Sequence, residues 1–157
     1  MPIHTPAPEL KKADYFAGNW NSEGDLKPGP TGPGGKMIMT ERNQWMEGEF
    51  FLIMQSEFKL AGMGSGTGVA YMGYDADRKV YTYDEFNSMG EAQHSTGTVE
   101  GDAWTWSGEK QLGGSTTKTR FLMKVLSRTS YAFRLETLLD GNDWSTVMEG
   151  KATREQF

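Results

Sequence analysis

The chain has no cysteine among its 157 residues. That excludes disulfides and thiolate metal sites, and it fits a cytoplasmic location. Histidine is almost as scarce: His4 stands in a proline-broken start and His94 is the only internal one. No His-x-x-x-His spacing therefore offers a metal centre. Basic runs are missing as well. With 16 Lys and Arg against 21 Asp and Glu, the formal charge is -5, whereas a nucleic-acid face needs clustered cations. No apolar stretch approaches the ~20 residues that span a bilayer. The opening "MPIHTPAPELKK" also lacks the charged start and apolar run of a signal peptide. What is left is one domain over residues 9–157 behind a short tail, 1–8. No nucleic acid, membrane, cofactor or metal is expected as a partner.

Glycine is plentiful, with 20 residues, and it punctuates the chain. One helix is expected in "APELKKADYFAG", which begins at a proline, spaces Leu10, Ala13 and Ala17 helically and ends at Gly18, a residue suited to a C-cap. The remainder reads as about ten short strands divided by Gly, Asn and Asp turns. Their meander order favours a closed antiparallel up-and-down barrel over an open sheet, because closure removes exposed edges. Two segments read as irregular: "KPGPTGPGG", too rich in Pro and Gly to pair, and "LAGMGSGTG".

Alternation then sorts the two faces of the sheet. Met37, Met39, Glu41, Asn43 and Trp45 share one face. Phe50, Leu52, Met54 and Phe58 share another, as do Trp104 with Trp106, Tyr131 with Phe133, and Trp144 with Met148. The inward wall is thus aromatic and methionine-rich, with Glu41 as its clear carboxylate. Barrels of this strand number leave room for one small molecule, and thioethers line adaptable apolar pockets. The expected contact set is Glu41, Asn43, Trp45, Met54, Tyr81, Tyr83, Glu85, His94 and Trp106. His94 shares parity with Ala92, Thr96 and Thr98, which suits either wall; its expected role is a polar contact in the cavity.

"YFAGNW", "NQWMEGEFFL", "GVAYMGYDADRKVYTYDEFNSMGEAQHSTGTVEGD" and "LETLLDGNDW", in that order and spacing, resemble an uncharacterised bacterial calycin-like family. The similarity runs from about Leu10 to Arg154. It implies a lipocalin-type barrel and carries no established activity. "GNWNSEGD" is similar to the Gly-x-Trp-x-x-x-Gly opening of lipocalins, fatty-acid-binding proteins and nitrobindin-like haem barrels. That likeness implies that Trp20 closes one barrel end. Nitrobindin-like barrels hold iron through a histidine near the last strand, and "DWSTVMEGKATREQF" has none, so haem is not expected. The Arg and Tyr clamp of fatty-acid binders is not visible either, with Arg134 reading as outward and Arg154 at the strand end.

Three functions remain. The first is binding of a small, apolar or amphipathic molecule in the barrel. The second is an enzyme in the same cavity, an isomerase, cyclase or hydrolase using Glu41 or His94 as acid or base. The third is a protein-interaction or homodimerisation module using the outer face. Ser65 in "GMGSGTG" lacks a following histidine and acid, and "DAD" lacks the downstream glutamate of a calcium loop. Both read as turns.

Overall fold

A computed structural model describes residues 4–29, 32–139 and 143–156. Ten strands follow a short N-terminal 3₁₀ helix, Pro8–Phe16: β1 Gly18–Leu26, β2 Gly35–Trp45, β3 Leu52–Leu60, β4 Gly64–Asp75 and β5 Val80–Asn87, then β6 Ala92–Glu100, β7 Ala103–Leu112, β8 Ser115–Ser127, β9 Ser130–Leu139 and β10 Asp143–Arg154. Each strand pairs antiparallel with its sequence neighbour, and β1 also pairs with β10, so the sheet closes into an up-and-down barrel. Every strand edge is consumed by a neighbour, as the meander order leads one to expect. No helix among the described residues is long and apolar enough to cross a membrane.

The register identifies the inner wall, because residues directly opposite one another point the same way. Trp20 faces Glu41 on one side and Arg154 on the other; Tyr83 faces Met72 and Ser95; Trp106 faces Gly97 and Phe121. Gly97 has a packing reason: a Cβ there would lie 2.4 Å from the Trp106 ring, so the indole lies flat on the strand. Gly24 and Gly150 meet where the barrel closes, and a Cβ on Gly150 would sit 2.2 Å from the Glu23 carbonyl.

Four expectations change. The helix is 3₁₀ rather than α and ends at Phe16; Ala17 is already extended, and Gly18, at φ 102°, opens β1 instead of capping a helix. "LAGMGSGTG" is a turn only as far as Met63, and β4 begins at Gly64. Gly66 has a packing reason to be in the strand, because the Phe58 ring lies where a Cβ there would go. Phe50 lies in the turn before β3 and is 37 % exposed, so it does not share the inner wall with Leu52. A register shift between Thr146 and Met148 inverts the parity of β10. Trp144 therefore faces outward, with the Arg120 guanidinium 4.3 Å from its ring centroid, while Met148 still faces in. The "DGND" turn lies mostly outside the described residues, as does the tip of "KPGPTGPGG"; Gly29 and Gly32 of that loop pair with each other.

The N-terminal helix stoppers one end. Leu10, Ala13 and Phe16 are buried, and Phe16 packs edge-on against Trp104 and Tyr131 with ring centroids 5.2 and 5.6 Å away. The last carbonyls of a helix have no partner within it, and here inward-facing side chains supply the donors. Trp20 Nε1 and Asn43 Nδ2 donate to the Phe16 carbonyl at 3.0 and 2.8 Å. Tyr81 Oη donates to the Glu9 carbonyl at 2.6 Å, and Trp45 Nε1 donates to Asp14 Oδ1 at 2.7 Å. Arg154 donates to the carbonyls of Tyr15 and Ala17 while its guanidinium covers the Trp20 ring, 4.5 Å from the centroid. Trp20 is 1 % exposed at the centre of this assembly. Trp20→Ala should lower stability by roughly 3–5 kcal/mol, the cost of truncating a large core aromatic. Chemical denaturation checks this, and an unchanged midpoint would remove Trp20 as the keystone of the stopper.

Candidate functional site

Burial along the inner wall is uneven. Next to the helix, the inward residues Trp20, Leu52, Met72, Trp104, Tyr131 and Ala152 are all buried. Towards the opposite end the inward residues Met39, Ser56, Phe58, Tyr83, Glu85, Gln93, Phe121 and Met148 are only partly buried. Outward parity would explain such exposure, but the register points these side chains inward. Met37, Ser95 and Thr119 are buried on this side too, but the half of the barrel away from the helix is the less tightly filled one, a cup at whose middle Ser56, Tyr83 and Phe121 lie. The floor of this cup is Met54, Trp106 and Met123. Tyr83 leans on Trp106 with ring centroids 5.5 Å apart.

The nine expected contact residues divide into three groups. Asn43, Trp45 and Tyr81 face inward but are committed to the helix. Glu41, Met54, Tyr83, Glu85 and Trp106 come together around the cup. His94 does not. It sits on the outer wall, its side chain 61 % exposed, with Nδ1 2.5 Å from Asp84 Oδ1 across the strand pair. That removes it as a contact, base or ligand for anything held inside the barrel.

The cup is electrostatically unusual. Glu41 is 8 % exposed, and burial raises its carboxyl pKa to about 7; the Asn43 amide, 3.4 Å away, opposes the rise and Glu85 adds to it. Burial likewise raises Glu85, against the pull of Lys110. Tyr83 is pushed well above its ordinary value by burial and then by Glu85 and Glu41. Lys110, which faces inward on β7 opposite Gln93, is lowered by burial and forms an ion pair with Glu91 at the rim. Asn87 donates to the other oxygen of Glu91 at 2.8 Å. Gln93 holds the wall by donating to Ser95 Oγ at 3.1 Å and Thr119 Oγ1 at 2.8 Å.

Lys110, Gln93, Ser56 and Phe121 were not among the expected contacts. Lys110 carried a usable signal, since it shares parity with Trp104 and Trp106. Gln93 and Ser56 carry none, because small or neutral polar residues fit either wall.

Two clefts lie outside the cup. One, of about 600 Å³, opens between Tyr15, Arg128 and the C-terminal Gln156. The other, about 350 Å³, lies on the outer wall and includes His94, Asp84, Phe86 and Glu109. Among the described residues no group of three or more His, Asp or Glu could hold a metal ion. The acidic turn at 75–77 is an Asx turn: Asp75 Oδ1 accepts from the backbone N–H of Asp77 and Arg78, each at 3.1 Å.

A family model described as "Protein of unknown function (DUF1579)" matches residues 5–154. Among solved structures, the crystal structure of Rv2717c from M. tuberculosis is similar, with a TM-score of 0.70 and 14 % identity over 96 % of this chain and 99 % of that one. At that identity the likeness speaks for the fold alone. No curated protein matches the chain.

Glu41 gives a pH test. A carboxyl whose pKa is higher in the folded state than in the unfolded one binds its proton more tightly when folded. Its stabilising effect is therefore full below about 4.5 and is lost as pH rises towards about 7. The loss should be on the order of 3 kcal/mol, with Glu85 contributing in the same direction. Denaturation midpoints should fall between pH 5 and pH 8, and Glu41→Gln should flatten that fall. An equal slope in the variant would contradict a buried carboxyl at this position.

Proposed function

Because the chain belongs to the DUF1579 family of unknown function, we propose its role from its own residues: it binds one small, largely apolar molecule inside the barrel. The observation that carries this reading is the partial exposure of inward-facing Ser56, Tyr83 and Phe121 at mid-barrel. An interior filled by its own side chains excludes solvent from such positions. The lining fits a small-molecule site, predominantly aromatic and thioether with a few convergent polar groups.

The outer clefts support binding less well. The larger borders Arg154, which is already engaged by the helix carbonyls. The smaller lies on an open sheet face whose central imidazole is paired with Asp84.

Adjacent residues on β3 separate inner from outer binding. Ser56 faces the lumen and Glu57 faces out. An environment-sensitive apolar dye should bind at about one molecule per chain; Ser56→Trp should weaken it at least tenfold by filling the cup, while Glu57→Trp should leave it unchanged. Equal loss in both variants, or in neither, would count against an internal site.

A second reading rests on Glu41. A carboxyl titrating near neutral pH is suited to moving protons, so the same cup could house an acid–base enzyme. Any turnover found with a bound molecule should then drop by about 10²-fold or more in Glu41→Gln. A turnover indifferent to that change would remove Glu41 as its acid or base.

A further inference from the structure

We propose that the molecule taken by the cup is an amphipathic amine, its protonated nitrogen seated beside Glu41 and Glu85 and its apolar body lying along Tyr83, Trp106 and Phe121. This rests on the internal site proposed above and names the chemistry that site selects.

The argument is a balance of donors and acceptors. Two inward cations are available among the described residues, and both are already engaged. Arg154 is spent on helix carbonyls behind Trp20, and Lys110, although near enough to pull on Glu85, is ion-paired with Glu91 at the rim. Neither Glu41 nor Glu85 forms an ion pair among the described residues. Both face the lumen, Glu41 opposite Ser56 on β3 and Glu85 opposite Ala70 on β4. The wall between them is built from the small residues Ser56, Gly68 and Ala70.

A second, independent observation points the same way. Ser22 Oγ and Asn43 Oδ1 are buried with no hydrogen-bond partner, in residues 5 % and 3 % exposed. Both flank Glu41. Asn43 is the next inward residue on β2, and Ser22 faces inward on β1 beside the Trp20–Glu41 pair. Buried polar atoms ordinarily find partners; the Asn43 oxygen can only accept and the Ser22 hydroxyl can accept, so a ligand rich in N–H donors would meet both. A protonated amine supplies several N–H donors and the opposite charge at once. Tyr83 and Trp106 add aromatic faces of the kind that attract cations. An anionic head group would meet two carboxyls and no free cation.

Octylamine, octanol and octanoate share one apolar chain and differ only in head group. Each is titrated against the protein carrying a bound apolar dye, at pH 8, where Glu41 is ionised. Octylamine should displace the dye at a concentration about tenfold or more below octanol, as charge-assisted hydrogen bonds are roughly twice as strong as neutral ones. Octanoate should be the weakest. In the Glu41→Gln, Glu85→Gln double variant the amine and alcohol should draw within about twofold of each other.

An amine no better than the alcohol on the unaltered protein would overturn the inference and leave the internal site standing. So would a preference that survives the double substitution, since it would come from the acidic surface. If the dye does not bind at all, the internal site and the amine fall together.

Discussion

The carbonyl of Phe16 accepts two buried hydrogen bonds, from Trp20 and Asn43, and the two ends of the barrel differ because of it. A closed barrel of ten strands has no inherent reason to be open at one end and sealed at the other. The helix end carries carbonyls that need donors, and the inner wall nearby carries donors that need acceptors. Bringing them together satisfies both and buries an aromatic cluster around Trp20, Phe16, Tyr131 and Trp104. Arg154 then locks the arrangement from the last strand. The donors of this end are consumed by the helix, and the buried polar side-chain atoms left unmet among the described residues, Ser22 Oγ and Asn43 Oδ1, lie on either side of Glu41, where the cup begins.

That division explains why one wall of similar-looking residues does two jobs. Asn43 and Glu41 are neighbours on one face of β2, yet Asn43 holds the helix and Glu41 borders the cup. A carboxyl buried beside another carboxyl works against folding. Replacing such groups by neutral ones of the same shape is commonly neutral or stabilising. Local rules are broken most often where function requires it, and here the cost is concentrated in Glu41, Glu85 and the atoms around them. The outer wall shows the opposite economy: its polar groups find partners across strands, exposed as with His94 and Asp84 or sheltered as with Arg120 and the buried Glu136.

Much of the fold was legible in the sequence because turn chemistry and alternation act locally. Gly, Asn and Asp mark nearly every strand end, and the two-residue spacing of Trp104 and Trp106, as of Tyr131 and Phe133, fixes a face. The failures have physical causes too. One extra residue near Val147 turned Trp144 outward, and no local pattern announces a bulge. Gly64 to Gly68 reads as a loop by composition, but pairing with β3, with Phe58 packed over Gly66, overrides it. His94 was ambiguous from the start, since its parity partners Ala92, Thr96 and Thr98 fit either wall. Of the cup, the large apolar residues and Glu41 could be read from the chain. Lys110 could have been, and the small residues that make the space could not.

The central claim is that the open half of the barrel, rather than either outer cleft, receives the ligand. A crystal of the protein soaked with 1-bromooctane tests it directly, because the anomalous signal of bromine marks where the molecule sits. The predicted peak lies inside the barrel, between Ser56, Tyr83 and Phe121. A peak confined to the outer wall beside His94 and Phe86, or to the cleft by Tyr15, would contradict the account.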